Sequence, residues 1–255
     1  MRVHVLGCSG GIGGGLHTTA FRVDNDILID AGTGVGNLPL AEMRDIRHVF
    51  LTHSHLDHVV GVPLLLGSIF ERLVGDPLTV HALPQTIEAL ERHVFNDHVW
   101  PDFRRLPDPE HGVVRLVAHA PGERVEIGGR SIAPVEVRHS VPAVGYVCAD
   151  AGGSFCFSGD TGSNETLWAE LNRIEPVDAL IVEVGFPNAD AELAEQAGHY
   201  WPQAMAEDLE RLEYRPPVLV THLKPGCEDE IMGELRSALP RHMVRRLQGG
   251  ESFKV

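Results

Sequence analysis

The sequence predicts an α/β protein in which two sheets are covered by helices. Three observations lead there. The first half is rich in short strands bounded by Gly, Asp and Asn. The second half ends in a regular alternation of helix and strand. Several apolar strands finish in a histidine or an aspartate, and the carboxyl ends of strands are where open sheets bind ligands.

The elements follow in order. "RVHVLG" (2–7) reads as the first strand, and "CSGGIGGG" (8–15) as a loop. "HTTAFRVD" (17–24) and "DILIDAG" (26–32) are the next strands, with alternating apolar and β-branched residues. "RHVFLTH" (47–53) is another short apolar run. "VVGVPLLLGSIFERL" (59–73) is long enough for a helix whose first turns take Pro63. "PLTVHAL" (77–83) is a strand, and "PQTIEALERHVF" (84–95) a helix that starts at Pro84. Residues 96–112 carry three prolines among mixed charges and read as an irregular surface loop. Strands resume with "VVRLVAH", "ERVEIGG", "SIAPVEVRH", "AVGYVCAD" and "GSFCFSGD". Then "NETLWAELNRI", "WPQAMAEDLERL" and "DEIMGELRSAL" are helices interleaved with the strands "DALIVEV" and "PPVLVTH". With no low-complexity linker and no residue-level repeat, the expectation is one domain over 1–255. It is made of two similar halves that meet near residues 105–120.

Composition narrows the function. The 255 residues are 43% hydrophobic and 22% charged, ordinary for a chain with a real core. Acidic residues number 36 against 21 basic, a formal charge of −15. That excess disfavours DNA and RNA as partners, because polyanion affinity comes from Lys and Arg. A small anionic substrate stays open, since bound metal reverses the local field. The chain begins at once with a strand and has no membrane-length apolar run, so a cytoplasmic protein without a membrane is expected. The four cysteines show no C-x-x-C spacing and read as reduced thiols.

The chemistry concentrates at strand ends. "THSHLDH" (52–58) places His53, His55, Asp57 and His58 on one short loop. Four ligand-type side chains there are costly to bury unless paired. They exceed the three or so protein ligands of one catalytic zinc. Three later strands end at His139, Asp160 and His222. A site with two metals uses all seven, with Asp160 as the bridge, because a carboxylate has two oxygens. Imidazole and carboxylate ligands suit Zn²⁺ first, and Mn²⁺ or Fe²⁺ as alternatives. Taken singly, Asp160 before Thr161-Gly162 also fits a turn or cap.

"THSHLDH", followed in order by His139, Asp160 and His222, resembles the signature of the metallo-β-lactamase fold over nearly the whole chain. The resemblance implies a four-layer αβ/βα sandwich, two mixed sheets flanked by helices, around a binuclear site. By that analogy His53, His55 and His139 hold one metal, Asp57, His58 and His222 the other, and Asp160 bridges them. "HSVPAVGY" (139–146) resembles the phosphodiesterase branch, which contains ribonuclease Z and the class II cyclic-nucleotide phosphodiesterases. "VTHLKPG" (220–226), "HVFNDHVWPDF" (93–103), "VEVGFPN" (182–188) and "AGHYWP" (197–202) are similar to segments of the cyclic-nucleotide enzymes. Two departures stand out: Tyr200-Trp201 where Leu-Ser or Leu-Thr is usual, and Gly185 where Ser is frequent. Ribonuclease Z, the nearest competitor, carries a Gly-rich basic arm for tRNA, and no such insertion is apparent here.

The resemblance implies a phosphodiesterase that hydrolyses 3′,5′-cyclic nucleotides to 5′-nucleotides. Two metals lower the pKa of a shared water and supply hydroxide near neutral pH. His199 is the expected proton donor or phosphate contact, with Glu183 charging or orienting it. Asp57 joins them as a candidate catalytic residue. The plain readings are a surface carboxylate for Glu183 and a packing residue for His199. A homodimer follows only by analogy. Phe95, Trp100 and Phe103 either wall a nucleobase or anchor their loop to the core, and His98 has no assigned role. His4, His17, His48, His81, His93, His111, His119 and His242 lack motif context and read as structural or exposed. "CSGGIGGG" lacks the Lys-Ser/Thr of a P-loop and is expected to let backbone approach the site.

Overall fold

Alternation within the strands dictates the layers. In "ILI" (27–29) the outer two residues face one core and Leu28 the opposite one. Phe155 and Phe157 share the first of these cores, while Cys156 between them joins a third. Each sheet is therefore buried on both faces, and three apolar layers separate four layers of secondary structure. This is the computed structural model's architecture for residues 1–255.

The first sheet has strand order β14-β1-β2-β3-β4-β5-β6. Its strands are β1 (Arg2–Gly7), β2 (Ala20–Val23), β3 (Ile27–Ile29), β4 (His48–Phe50), β5 (Leu78–Ala82), β6 (Val114–Ala118) and β14 (Ser252–Lys254). The second sheet has order β13-β12-β11-β10-β9-β8-β7. It contains β7 (Val125–Ile127), β8 (Arg130–Val137), β9 (Ala143–Ala149), β10 (Ser154–Phe157), β11 (Ala179–Glu183), β12 (Val218–Thr221) and β13 (Val244–Arg246). Each sheet is antiparallel on one side and parallel on the other. The halves divide between β6 and β7, a little beyond the expected 105–120, and β14 returns from the far end of the chain to pair with β1.

The chain forms nine α-helices: α1 (Leu40–Met43), α2 (Leu56–Val59), α3 (Gly61–Ser68), α4 (Phe70–Leu73), α5 (Pro84–His93), α6 (Thr166–Arg173), α7 (Ala191–Ala197), α8 (Pro202–Leu209) and α9 (Glu228–Ala238). The run expected as one helix over 59–73 is broken at Ile69, whose backbone leaves the helical region. Leu65, Leu66 and Leu73 seal the outer face of the first sheet. Trp168, Met205, Ile231 and Leu235 seal that of the second. The inner layer meets across the sheets through pairs such as Phe21 and Phe157, whose rings pack edge-on at 5.0 Å.

Residues 97–113 contain no helix or strand, as the prolines predict. Phe95 and Phe103 are buried in the core under the first sheet, and Trp100 packs against it. Those aromatics anchor the loop, so the nucleobase wall is not available to Phe95 or Phe103. His98 is exposed. The cysteines are free, with Cys148 and Cys156 buried. No helix is long and apolar enough to cross a membrane.

Candidate metal centre

The strand ends gather at one edge of the sandwich. His53 follows β4 by three residues, His55 is the N-cap of α2, and Asp57 and His58 lie within that helix. His139 follows β8, Asp160 follows β10, and His222 follows β12. Of the four overlapping groups whose ligand atoms lie within 4.8 Å of one another, two hold the expected ligands, His53, His55 and His139, then Asp57, His58, Asp160 and His222, and the other two bring in His199, with His139 and Asp160 and with Glu183 and His222. Asp160 Oδ2 lies 3.8 Å from His53 Nε2, 3.1 Å from His58 Nε2 and 3.2 Å from His222 Nε2. All seven residues singled out by the sequence are therefore brought together, and the carboxylate of Asp160 sits between the two groups. It is buried and caps no helix.

The outward-facing atoms show which ends are meant for a ligand. His53 Nδ1 is bonded to Thr52 Oγ1 at 2.9 Å, His58 Nδ1 to Asp30 Oδ2 at 2.7 Å, and His139 Nδ1 to the Gly198 carbonyl at 2.8 Å. This pins each ring and leaves its Nε2 pointing inward, the arrangement seen when a second partner orients a ligating imidazole. Inside, His53 Nε2, His58 Nε2 and Asp160 Oδ1 are buried without a hydrogen-bond partner. Orphaned buried polar atoms are expensive. Imidazole and carboxylate donors converging in this way fit two divalent cations.

Electrostatics agree. Burial pushes the His53 imidazole well below its usual range, with the neighbouring His58 adding to this, so His53 stays neutral and able to ligate. Burial lowers His55 and His139 in the same direction. For His58, burial opposes charge, but the Asp160 and Asp30 carboxylates outweigh it and raise the ring well above normal. The pocket around Asp160 is thus one that attracts positive charge.

Local backbone geometry supports the site. His222 has φ of +58° and Asp30 φ of +55°. Left-handed non-glycine residues are uncommon and cost energy that the surroundings must offset. Around His222 the Gly-rich loop provides this: the Cys8 carbonyl accepts from His222 N at 2.8 Å, and Gly10 N donates to the Leu223 carbonyl at 3.1 Å. A Cβ on Gly10 would lie 2.8 Å from the His222 carbonyl, so the loop must be glycine there. Gly198, at φ +76°, likewise presses on His139 while supplying its acceptor.

Beside the two groups lies a second constellation. Glu183, at the end of β11, is fully buried rather than a surface carboxylate. Its Oε1 accepts from His199 Nδ1 at 2.8 Å, Thr161 N at 3.1 Å and Tyr200 N at 3.2 Å. Burial disfavours a charged His199 ring, but the Glu183 carboxylate more than offsets this and raises its pKa to about 9. The ring stacks 5.3 Å from His222 and lies edge-on 5.0 Å from His139. A groove of about 620 Å³ opens next to His139, lined also by Pro84, Arg138, Val141 and Pro142.

Sequence reasoning missed Asp30. It is fully buried, bonds His58 Nδ1, and also accepts from Thr52 N and Oγ1. The signal was present, since "ILID" is one more apolar strand ending in a ligand-type residue. Tyr146, whose hydroxyl donates to the Leu51 carbonyl at 2.8 Å and so steadies the segment leading to His53, had no such signal.

Comparison with known proteins fits this geometry. The family model described as "Beta-lactamase superfamily domain" matches residues 25–223, and the chain belongs to that family. Its architecture is the metallo-β-lactamase fold. A probable 3′,5′-cyclic-nucleotide phosphodiesterase of Yersinia pestis is 28% identical over 212 residues, covering 72% of this chain and 59% of that protein. The chain thus spans less than two thirds of that relative's length. A ribonuclease Z of Bradyrhizobium diazoefficiens is 25% identical over 272 residues, covering 86% of this chain and 87% of that protein. Among solved structures, unliganded yeast PDE1 superposes with a TM-score of 0.82 at 20% identity, covering 98% of both chains.

Proposed function

We propose that this chain is a binuclear-metal phosphodiesterase that hydrolyses 3′,5′-cyclic nucleotides to 5′-nucleotides. The observation that carries the reading is the His199–Glu183 pair set against the seven converging ligand side chains. His53, His55 and His139 would hold one divalent ion and Asp57, His58 and His222 the other, with Asp160 shared. When bound, the ions supply hydroxide at neutral pH and neutralise charge that develops on the phosphate. Zn²⁺ suits the donor set best, with Mn²⁺ or Fe²⁺ as alternatives.

The chain's own residues handle the protons. As a water oxygen joins phosphorus, the bond from phosphorus to the 3′ oxygen breaks. His199, held through Nδ1 by Glu183, presents Nε2 and gives its proton to the departing 3′ oxygen. Asp57, the more open carboxylate of the pocket with its side chain 35% exposed, takes the proton released by the attacking water. Thr161 N and Tyr200 N donate to Glu183 Oε1 and hold the carboxylate aimed at His199.

Charge favours a small substrate over RNA. Most arginines are already occupied by carboxylates, as Arg104 is by Asp102, Arg130 by Asp26 and Arg138 by Glu195. Pairing of this kind reduces the cations free to track a polyanion backbone. The groove beside His139 has the size of a small-molecule site. The near full-length match to a ribonuclease Z supports RNA processing as the second reading. We further read residues 1–255 as a single domain, cytoplasmic, and able to form a homodimer.

The test is an assay panel on metal-loaded protein with cyclic AMP, cyclic GMP, bis-p-nitrophenyl phosphate and a pre-tRNA. Hydrolysis of a cyclic nucleotide is expected. Cleavage of the pre-tRNA alone would sink the proposal in favour of the second reading.

A further inference from the structure

Tyr200 departs from the residue that the cyclic-nucleotide enzymes usually carry after this histidine, and its surroundings explain what it does. The side chain is completely buried among the apolar residues between the second sheet and its helices. Its hydroxyl donates to Asp208 Oδ2 at 2.6 Å and accepts from Trp168 Nε1 at 3.2 Å. Asp208, in the last turn of α8, is itself 2% exposed. A carboxylate in such a core is costly unless its oxygens are satisfied. Its Oδ2 also accepts from Asn164 N at 3.1 Å, and Oδ1 faces Arg211 Nε at 3.2 Å.

The other end of this network reaches the site. Asn164 Nδ2 donates to Thr161 Oγ1 at 2.9 Å and to the Gly162 carbonyl at 3.1 Å. Thr161 and Tyr200 are the residues whose backbone N–H groups hold Glu183 Oε1. Asp208 therefore ties together both segments that fix the Glu183 carboxylate, one through the Tyr200 hydroxyl and one through Asn164. The segment through Thr161 is also the one that follows Asp160.

We infer that Asp208 and Tyr200 are positioning residues for the His199–Glu183 pair. They hold the carboxylate in the one place from which it orients His199 toward the leaving oxygen. Neither touches substrate. The inference rests on the proposed role of His199 as proton donor. It predicts a loss only where the leaving group needs a proton, because positional errors in a general acid slow proton transfer and leave substrate binding alone.

The experiment compares Tyr200→Phe, Asp208→Asn and His199→Ala in metal-loaded protein on two substrates. Cyclic AMP releases an alkoxide that must be protonated, whereas bis-p-nitrophenyl phosphate releases a phenolate that leaves unaided. Tyr200→Phe is expected to lower kcat on cyclic AMP about 10-fold with KM within about twofold. Metal content and kcat on bis-p-nitrophenyl phosphate stay within about twofold of wild type. Asp208→Asn shows the same selectivity, and decides the matter should Tyr200→Phe not fold. His199→Ala shows a larger loss, on the order of 100-fold, on cyclic AMP alone. In metal-free protein the His199 Nδ1 proton, followed by NMR, exchanges faster with water in both network variants. The inference is overturned if His199→Ala is selective while the network variants slow both substrates equally or neither. A non-selective His199→Ala removes the proton-donor reading itself, and the inference falls with it.

Discussion

The first sheet carries two groups of histidines, and only one of them is built as a ligand site. At the carboxyl ends of the strands, His53 and His58 each spend Nδ1 on a protein partner and turn an unpartnered Nε2 toward Asp160. Elsewhere in the same sheet His48, His81 and His119 bond one another in a row. His48 Nδ1 lies 3.1 Å from His81 Nε2, and His81 Nδ1 lies 2.9 Å from His119 Nε2. His119 Nδ1, at the end of the row, lies 3.4 Å from a Glu123 oxygen without a hydrogen bond. Each neutral ring can donate from one nitrogen and accept at the other, so the row satisfies its inner atoms without a cation. His81 also stacks on Phe50 at 4.3 Å, as a core aromatic would. Proximity of imidazoles thus does not define a metal site. Convergence of orphaned nitrogens on a shared carboxylate does.

The largest effect expected from breaking this contrast is at Asp160. Asp160→Ala removes the shared ligand and leaves the facing imidazoles uncompensated. It should abolish tight metal binding and lower turnover by about 10³-fold or more, read by elemental analysis and initial rates. A variant that kept both would show that the carboxylate is not shared.

Next comes the partner behind the ligand. Asp30→Asn removes the carboxylate that orients His58 and should weaken metal affinity by about 10- to 100-fold, measured by competition with a chromophoric chelator. Unchanged affinity would mean that Asp30 serves folding alone.

The histidine row should respond to pH instead of metal. Burial holds the His81 pKa down to about 3, with His48 and His119 adding to it. Above the unfolded value of about 6.5, the ring is neutral in both states and contributes no pH dependence. Below it the unfolded chain takes up a proton that the folded chain refuses. Stability therefore falls as pH drops toward 3, by about 1.4 kcal/mol per pH unit from this residue. His81→Phe, which keeps the stacking on Phe50, should flatten this limb in urea titrations of metal-free protein between pH 4 and 7. It should leave metal content and turnover as in wild type. Loss of metal in this variant would break the contrast.

The smallest effect is expected at His98, on the exposed loop after α5. His98→Ala should change stability by less than about 0.5 kcal/mol and leave rates untouched, by denaturant unfolding and assay.

The same contrast explains what could be read from sequence. The ligand histidines were legible because four ligand-type residues crowd one turn, and three later strands each stop at another. The His48 row had no such signature, since its members sit singly in or just after separate strands and meet only through register: Phe50 opposite His81, and His81 opposite Val117. Every strand but the last two, β13 and β14, followed from alternation, whereas the break at Ile69 was not read although Gly67-Ser68 stands directly before it. Residues that act by closing long-range networks were the least legible. Asp208 looks like one more acid on an amphipathic helix until the fold buries it beneath Tyr200.

The most direct measurement is metal stoichiometry after reconstitution, taken on the wild type and on His81→Phe and Asp160→Ala side by side. About two divalent ions per chain are expected for the first two proteins and few or none for the third. Fewer than about one ion per wild-type chain would contradict the claim that the converging side chains form a binuclear centre.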